Sequence, residues 1–343
     1  MSENKKQVPV MLEDVKRLFK NYVVNIASND NNEQVYVVDL TLGDAGHSLM
    51  FLEQIDEYKS ENFINGGKLL SVDWDKMAIN YVLKQYKNRI NTVFYCDIGC
   101  DSFTETEVYN KDSNWYVVLS NFVWIDKVVE QIQFPKIDFV LVDLGVSTRQ
   151  LLSKNRGFSF NGSSSLDMRM SKDFLNVKAY DLLNGLSMHE IRDMYVATIG
   201  MPKSVASKVA DLIVKERDNK PFGDNDDKKR LQKIANYLQK RRIWRFGDTK
   251  LNSLTLLLLG LRVAVNAEKR HIFDLWHSLS RIMKQKAEVI AIGFNSTEWE
   301  ILESTPMLYG FNLVEVFSVN AVEAKKNPRS RSAKLFRFRY EGK

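Results

Sequence analysis

The 343-residue chain has few cysteines and no long apolar run. Its two cysteines, Cys96 and Cys100, are spaced C-x3-C, and it has four histidines. Two thiols can pair or sit in a loop, but no second pair completes a structural zinc site, so we expect no bound metal. So few cysteines also fit a reducing compartment.

Targeting and membrane segments are also missing. The first residues, MSENKKQVPVMLEDVK, have neither the apolar centre of a signal peptide nor the Arg/Ser-rich, acid-poor pattern of a transit peptide. The longest apolar run, residues 254–261, is much shorter than the roughly 20 residues that span a bilayer. We therefore expect a protein without a membrane partner, in the bacterial cytoplasm or, without its presequence, in a mitochondrial matrix.

Charge is only mildly one-sided, with 49 Lys and Arg against 43 Asp and Glu and a formal net charge of +6. This excess favours an acidic partner such as nucleic acid. Two basic clusters carry it: Lys228, Lys229, Arg230, Lys233, Lys240, Arg241, Arg242 and Arg245, and Lys325, Lys326, Arg329, Arg331, Lys334, Arg337 and Arg339. Solvated helix or edge-strand charge would explain either cluster alone, so neither decides the function.

Short β-branched runs alternate with helical patterns, which predicts an α/β fold with a mostly parallel sheet covered on both faces. The predicted strands are residues 35–40, 68–73, 115–119, 137–143 and 288–294, with a closing pair at 313–319 and 333–340, and helical spacing marks 78–86 and 261–283. Between residues 151 and 245 the alternation stops and helices dominate. We predict one domain of residues 1–150 and 246–343, with an inserted helical domain of residues 151–245 that recognises the substrate.

The first strand is followed by TLGDAGHS, residues 41–48. A strand that ends in an acid, and then a glycine turn that opens a helix, suits a nucleoside ligand, although a tight βα turn alone would also use these glycines. The second strand ends in Asp73, where a carboxylate can accept hydrogen bonds from ribose hydroxyls. No G-x-G-x-x-G or Walker lysine is present, which counts against dinucleotides and nucleoside triphosphates. S-adenosylmethionine needs no pyrophosphate site, so the pattern favours a methyltransferase.

The strand at 137–143 ends in Asp143 and begins the motif DLGVSTRQL, residues 143–151. Because ligands of open α/β sheets bind at the carboxyl ends of strands, we expect Asp143 at the reactive centre, although a capping role in a turn is the alternative. Two more motifs follow, RGFSF at residues 156–160 and LDMRM at 166–170.

In this order the three motifs resemble the RsmH/MraW family of small-subunit rRNA cytosine-N4 methyltransferases. Further similar segments are PVML at 9–12, GDAGHS at 43–48, SNF at 120–122, LRVAVNAE at 261–268 and NPRSRSAKL at 327–335. The resemblance covers nearly the whole chain, with extra residues around 56–66 and 91–114. It implies a class I, Rossmann-like methyltransferase fold with a helical insertion after the fourth strand.

The resemblance also implies an enzyme that uses S-adenosylmethionine to methylate the exocyclic N4 amine of a cytidine in the decoding centre of 16S-type rRNA. The partner would be rRNA or an assembling small subunit, and a homodimer stays open. The family's cofactor contacts fall here on Ala45, Gly46, His47, Asp73, Phe122, Asp143 and Gln150. Ala45 stands where the family has glycine.

Cytosine N4 is a poor nucleophile because its lone pair is delocalised into the ring. The enzyme must orient this amine towards the methyl sulfonium and accept hydrogen bonds from its protons, a catalytic role that we expect for Asp143. No cysteine nucleophile is required, and the chain has no Pro-Cys dipeptide, which disfavours carbon-5 methylation. Arg156 and Arg169 could bind phosphate and Phe158 could stack on a base, unless these motifs only pack the insertion.

Several substrate-side positions depart from the family pattern. The family's HPATRTFQALRI is NSLTLLLLGLRV here, residues 252–263, and its SFHSLEDR is GFNSTEWE, residues 293–300. Histidines are thereby replaced by Asn252 and Asn295 and arginines by Leu256 and Glu300, while an acidic pair becomes Met201-Pro202. The residues expected to face RNA are Arg156, Phe158, Arg169, Asn252, Arg262 and Asn295.

Two hypotheses explain these departures. The protein is either a divergent enzyme with altered substrate contacts, or a methyltransferase-fold assembly factor of the small subunit that has lost catalysis. Asp143, Asn266 and Glu268 persist, which favours the enzyme. Binding of S-adenosylmethionine and transfer of its methyl group discriminate the two.

Overall fold

The computed structural model describes residues 8–28, 33–153, 156–159, 165–240 and 253–342. Contacts between Cα atoms divide the chain into two compact units. The first contains the residues up to Gly145 and those from His271 onward, and the second is Val146–Arg270. No helix in the described ranges is long and apolar enough to cross a membrane.

The first unit is built on one sheet of nine strands within the described residues. They are β1 (Val35–Asp39), β2 (Gly67–Asp73), β3 (Thr92–Cys96), β4 (Phe103–Val108), β5 (Trp115–Leu119), β6 (Ile137–Asp143), β7 (Met283–Gly293), β8 (Phe311–Ser318) and β9 (Lys334–Tyr340). Their order is β4-β3-β5-β2-β1-β6-β7-β9-β8. The six strands from β3 to β7 are parallel, whereas β4 and β9 run antiparallel to their neighbours.

Helices cover this sheet. They are α1 (Leu12–Ala27), α2 (Gly46–Ser60), α3 (Lys76–Tyr86), α4 (Ile125–Gln131), α11 (Glu268–Ile282), α12 (Ser296–Ser304) and α13 (Ala321–Lys326). The central strand β6 is buried at every position except its last, Asp143, as expected for a parallel strand covered on both faces. On one face the core gathers around Trp276 of α11, whose ring centroid lies 4.8 Å from that of Phe338.

The strand order reverses between β1 and β6. After β1 the chain forms β2, β3, β4 and β5, all on one side of β1, and then returns to place β6 on the other side. The carboxyl ends of strands on either side of such a point open a crevice for ligands. The predicted α/β class is confirmed, as is the class I methyltransferase type of sheet, which ends in an antiparallel pair.

A hairpin in residues 91–114 was not predicted. There β3 pairs with β5 in parallel and with β4 in antiparallel, so this segment lengthens the sheet beyond β5. The strand β4, FTETEV, is mostly polar and mostly exposed, so its sequence contains no apolar run that would predict a strand. We expected the two cysteines either to pair or to sit in a loop. They pair: Cys96 and Cys100 form a disulfide at the end of β3, with Cα atoms 5.0 Å apart.

The second unit is helical. It contains α5 (Thr148–Leu152), α6 (Ala179–Gly185), α7 (Met188–Ile199), α8 (Lys203–Asn219), α9 (Asp227–Lys240), α10 (Ser253–Val265) and the first residues of α11. The predicted single helical stretch 261–283 is wrong, because a break at Asn266 and Ala267, where Ala267 has φ 48°, separates α10 from α11.

The observed division of the chain differs from the predicted boundaries. The helical unit begins at Val146 rather than at residue 151, and it continues to Arg270 rather than ending at 245. The reason is α10, which packs within this unit: a Cβ atom built on Gly260 would lie 2.7 Å from the ring of Tyr195 in α7. Periodicity alone does not show which partner an apolar helix such as α10 packs against.

Candidate cofactor site

Three carboxyl groups end three neighbouring strands: Asp39 on β1, Asp73 on β2 and Asp143 on β6. Loss of hydration raises the pKa of Asp39 to about 6, of Asp73 to about 7 and of Asp143 to about 8. The carboxylate of Asp75 adds to the rise at Asp73, and that of Asp39 adds to the rise at Asp143. The carboxyl ends of β1, β2 and β6 therefore favour a ligand that brings hydrogen-bond donors or positive charge.

A buried polar chain fixes the loop after β1. Asp39 accepts hydrogen bonds from the Thr41 backbone N–H at 3.1 Å and from Ser48 Oγ at 2.6 Å. Ser48 Oγ lies 2.9 Å from Ser71 Oγ, which accepts from Trp115 Nε1 at 2.9 Å. Because Ser48 gives its one hydroxyl proton to Asp39, Ser71 must donate to Ser48. The donors therefore run in one direction, from β5 through β2 and α2 to the end of β1.

Asp73 holds the same loop from the neighbouring strand. Its Oδ2 accepts from the Gly43 backbone N–H and its Oδ1 from that of Asp75, both at 2.9 Å. A carboxylate oxygen has two lone-pair sites, so each oxygen can accept a further hydrogen bond. Asp73 can thus anchor the loop and still receive both hydroxyls of a ribose.

Asp143 has the least satisfied carboxyl group of the three. Its backbone N–H donates to Thr41 Oγ1 at 2.8 Å, which ties β6 to the β1 loop. Its Oδ1 is buried and has no hydrogen-bond partner among the described residues. The positive charge of Arg329 lowers the Asp143 pKa and the charge of Glu298 raises it. A buried carboxylate oxygen without a donor is costly, so this atom is suited to a ligand that supplies one.

Gly46 and His47 begin α2 and contact the N-terminal segment Val8–Leu12. The buried His47 ring has Nε2 3.1 Å from the Val10 carbonyl oxygen, and burial lowers its pKa to about 4. The ring is therefore neutral near pH 7, and its Nε2–H donates to that carbonyl. Gly46 must lack a side chain, because a Cβ there would lie 2.2 Å from Pro9 Cγ. The imidazole thus faces the N-terminal segment, and backbone groups of this turn remain for a ligand.

The same segment is held from far along the chain. Glu323 of α13 accepts a hydrogen bond from the Met11 backbone N–H at 2.7 Å, and Asn327 Nδ2 donates to the Val8 carbonyl at 3.3 Å. Ala45, where the family has glycine, takes φ 67° in the left-handed region. This conformation favours glycine, so the alanine is held there at a cost of roughly 1 kcal/mol.

Aromatic side chains surround the end of β5. Phe122, predicted to contact the cofactor, is half-buried, with its ring centroid 6.1 Å from that of His271 on α11. Trp74, directly after Asp73, lies edge-on to the same histidine at 5.3 Å. The motifs marked neither Trp74 nor His271, and the only available signal was the position of Trp74 after a strand-terminal acid.

In the helical unit, Gln150 is part of a capping box at the start of α5. Its Oε1 accepts from the Ser147 backbone N–H at 2.9 Å, and its own N–H donates to Ser147 Oγ. Its Nε2 lies 3.4 Å from the Met170 carbonyl oxygen. The Gln150 side chain is thus buried within this unit and orders the turn that follows DLGVS.

The motifs of the helical unit converge on the peptide groups of Met170. Asn266 Oδ1 accepts from the Met170 N–H at 2.6 Å, and buried Arg156 donates from Nη2 to the Met170 carbonyl at 2.6 Å. Asn266 also donates to the Met168 carbonyl at 2.8 Å. Phe158 is buried as well, with the Arg156 guanidinium 5.9 Å from its ring centroid. Arg156 and Asn266 therefore shape the LDMRM segment from within.

The other residues expected to contact RNA also have internal partners. Arg169 pairs with Asp167 through two hydrogen bonds of 2.7 and 2.9 Å, and Arg262 pairs with Glu268 through two of 2.9 Å. Asn295, in the first unit, caps α12 by accepting from the Glu298 N–H at 3.0 Å. Asn252 lies outside the described residues.

Two altered family positions lie in the interior of the helical unit. Leu256, where the family has arginine, is 3% exposed, and Met201, in place of an acid, is 1% exposed. Apolar packing has thus replaced charged groups at these positions. Glu300, in place of another arginine, is exposed on α12.

Sequence comparison agrees with the family that the motifs indicate. The model of the MraW methylase family matches residues 4–305. The ribosomal RNA small subunit methyltransferase H of Mycoplasma mobile is 26% identical over 97% of this chain and 97% of its own length. That of a Sulfurihydrogenibium species is 30% identical over 87% of this chain and 90% of its own. A solved rRNA methylase from Streptococcus thermophilus aligns with 94% of this chain and 95% of its own at a TM-score of 0.37 and 7% identity.

The contact between Gly46 and Pro9 makes a prediction about stability. Gly46→Ala would place a Cβ 2.2 Å from Pro9 Cγ, so the N-terminal segment must move. We expect a loss of about 1–3 kcal/mol in the free energy of unfolding, measured by urea denaturation, as for other overpacked sites. Gly185→Ala is the matched control, because a Cβ there meets nothing within 4 Å.

The double variant Gly46→Ala with Pro9→Gly tests the cause. Gly46→Ala should lower the free energy of unfolding much less in the Pro9→Gly background than in wild type, because the proline ring that the new Cβ meets is absent. Equal losses in both backgrounds would show that the contact with Pro9 is not what requires glycine at position 46.

Proposed function

We propose, because the chain belongs to the MraW methylase family, that it is an S-adenosylmethionine-dependent methyltransferase of small-subunit rRNA. The target is the exocyclic N4 amine of a cytidine in the decoding centre, on rRNA or on the assembling small subunit in the cytoplasm. The observation that carries this proposal is the buried Asp143 Oδ1 at the strand-order reversal, which no group in the described part of the chain contacts by a hydrogen bond. It lies beside the loop that Asp39 and Asp73 hold.

The residues at the carboxyl edge fit the cofactor. When bound, S-adenosylmethionine supplies a methyl group on a positively charged sulfur. Asp73 would accept the ribose hydroxyls with its remaining lone pairs, and the turn at Gly43–Gly46 would lie against the amino-acid portion of the cofactor. Phe122 would contact the base. Without a ligand the pKa of Asp143 is raised to about 8. The positive sulfur of the cofactor would stabilise the charged carboxylate and so lower this pKa.

Asp143 would also perform the chemistry. The N4 amine is held by hydrogen bonds from its protons to the carboxylate, which turns its weakly available lone pair towards the methyl group. S-adenosylmethionine would supply the methyl group, and its transfer would leave N4 with a surplus proton. Asp143 then accepts the amine's surplus proton, a role for which a pKa near the working pH is suited.

The helical unit would bind RNA through α9 rather than through the arginines of the motifs. Arg156, Arg169 and Arg262 already have internal partners, so we propose that they shape this unit. On α9, Lys229, Lys233 and Lys240 are exposed, whereas Lys228 and Arg230 of the same cluster are buried. Lys229 pairs with Asp226 at 2.7 Å, but both side chains of this pair are exposed, so solvent and salt screen it and a phosphate can replace the acid. The spacing of four and seven residues places the three exposed lysines along one helix face, where they can contact successive phosphates.

Methyl transfer tests the proposal. We expect the protein to transfer labelled methyl groups from S-adenosylmethionine to unmethylated small subunits, with N4-methylcytidine as the product found by nucleoside mass analysis. Asp143→Asn should lower the rate at least about 100-fold because the proton acceptor is removed. Asp112→Asn, a change of an exposed acid on a turn, should leave the rate unchanged. A folded wild-type protein that binds subunits but transfers nothing would instead support the assembly factor.

The acids at the strand ends predict a pH dependence of cofactor affinity. Asp73 and Asp143, with pKa values of about 7 and 8, are partly protonated in the free protein at pH 6–8. Ribose hydroxyls and the sulfonium favour the charged carboxylates, so binding should release protons and affinity should rise with pH across this window, by up to about tenfold per unit per proton.

Titration calorimetry at pH 6, 7 and 8 measures this dependence, and buffers of different ionisation enthalpy count the protons released. Asp143→Asn should remove the upper part of the rise. Without ligand the sign is opposite: both acids have raised pKa values in the folded state, so the stability they contribute is lost as pH rises through 7 and 8. Affinity that is flat or falls with pH would contradict the proposed contacts.

The α9 lysines predict a salt effect. Changing Lys229, Lys233 and Lys240 to Gln should weaken RNA binding and lower the slope of log affinity against log salt by up to about 2, since single-stranded RNA loses roughly 0.7 per phosphate contact. Filter binding to a small-subunit rRNA fragment at several salt concentrations measures both quantities.

The control carries the same loss of charge in the other unit. Lys16, Lys20 and Lys84 are exposed on α1 and α3, and their replacement by Gln should leave the salt slope unchanged. An equal decrease in both triple variants would mean that net charge, and not the face of α9, governs RNA binding.

A further inference from the structure

The lateral edge of the sheet at β4 is three strands away from β2, with β3 and β5 between them. It lies among the extra residues around 91–114 that distinguish this chain from the family pattern. Within the described part of the chain, no strand pairs with the outer side of β4. This strand therefore presents a row of backbone groups to which a further strand can be added.

The hydrogen-bond pattern shows which peptide groups of β4 face outward. The antiparallel register with β3 is regular except at the first residues of β4. Directly after β4, the Tyr109 N–H donates to the carbonyl of the residue before β3 at 2.9 Å. Because hydrogen-bonded pairs alternate along an antiparallel ladder, Glu107 and Glu105 also bond to β3. The N–H and C=O groups of Thr106 and Val108 consequently point away from the sheet.

The hairpin of β3 and β4 is held at both of its ends. Asn91 Nδ2 donates to the carbonyls of Lys111 and Ser113, at 3.0 and 2.7 Å, in the turn between β4 and β5. Gln131, which ends α4, donates to the Cys100 carbonyl at 2.7 Å in the loop between β3 and β4. The edge is thus ordered before a partner arrives, which limits the entropy cost of adding a strand.

The side chains of β4 make this edge acidic. Glu105 is exposed and Glu107 half-buried, and neither forms a salt bridge with a described residue. Both lie near Tyr95 of β3, whose pKa is raised to about 12 by burial and by these two carboxylates. The exposed Thr104 and Thr106 alternate with the acids, and β4 contains no Lys, Arg or Pro. The two carboxylates therefore remain available to cations of an added strand.

This charge disfavours two other occupants of the edge. The phosphates of RNA are repelled by Glu105 and Glu107. A second copy of the chain, paired through β4 in antiparallel about Thr106, would place glutamate opposite glutamate, and like charges directly opposite one another destabilise a sheet. A strand with lysine at alternate positions would instead place one lysine opposite each glutamate.

We propose that β4 is a docking edge for an extended, lysine-rich protein segment. The segment adds to the sheet as an antiparallel strand and exchanges backbone hydrogen bonds with Thr106 and Val108. Its lysines, at alternate positions, pair with Glu105 and Glu107. The inference is independent of the proposed function, because neither the cofactor nor RNA takes part in this contact.

Two labelled peptides test the charge preference: acetyl-VKTKTV-amide and acetyl-VETETV-amide. We expect the full-length protein to bind the lysine peptide at least about tenfold more tightly in fluorescence anisotropy titrations, because two cross-strand charge pairs form. The net charge of +6 alone predicts the opposite order. Glu105→Lys with Glu107→Lys should invert the preference. Glu300→Lys with Glu303→Lys, at exposed positions of α12, is the matched control and should keep it.

Methylation of the peptide backbone separates strand addition from attraction between charges. Methyl groups on the amide nitrogens of the valine opposite Val108 and the threonine opposite Thr106 remove the donors that face β4, so binding should be lost. Methyl groups on the two lysine nitrogens are the matched control, because those N–H groups point away from β4. Thr106→Pro removes an outward donor of β4 itself and should weaken the lysine peptide, with little change in melting temperature.

A preference for lysine that charge reversal inverts, and that only the methyl groups facing β4 abolish, supports the docking edge. Equal binding of the two peptides, or an equal effect of the two methylations, overturns it. Wild-type protein that binds neither peptide overturns it as well. If Glu105→Gln with Glu107→Gln then forms dimers in analytical ultracentrifugation, the glutamates serve only to prevent pairing between copies of the chain. None of these results bears on methyl transfer.

Discussion

The hydrogen bond from Ser48 to Asp39 is the contact on which the carboxyl edge of the sheet depends. It ends a chain of donors that begins at Trp115 on β5 and passes through Ser71 on β2. Because the acceptor is a buried carboxyl, each hydroxyl proton has one defined direction. The start of α2 and the ends of three strands are thereby held in one arrangement. The loop that reaches Asp73 through Gly43 is consequently built before any ligand arrives, which limits the ordering cost of binding.

The parts of this edge that could be predicted are local in sequence. Buried parallel strands leave continuous apolar runs, so β5 and β6 were placed correctly, and an acid after such a run points to Asp73 and Asp143. The contacts that were missed join distant segments. Nothing near Trp74 indicates that α11 will bring His271 within 5.3 Å of it. The edge strand β4 was missed for another reason: it is mostly exposed and has no apolar run to detect.

The motifs of the helical unit illustrate a second limit. A charged residue within a motif suggests a ligand, yet its partner inside the protein is invisible in the sequence. Arg169 meets Asp167, Arg262 meets Glu268, and buried Arg156 supports the Met170 peptide together with Asn266. Residues that order a loop can be as tightly constrained as those that bind substrate. The apolar replacements at Leu256 and Met201 fit this view, because both side chains lie in the interior of the unit.

The hydrogen bond between Met11 and Glu323 has a consequence for the order of synthesis. Its two residues are separated by 312 positions, yet the segment it holds packs directly on Gly46. During translation the turn at Gly46 emerges early, but its cover remains unanchored until α13 has left the ribosome. A nascent chain without α13 thus has Asp39, Asp73 and Asp143 but lacks the hydrogen bond that holds the segment Val8–Leu12 beside Gly46. The N-terminal segment that packs on Gly46 is therefore fully held only in a chain that has reached α13.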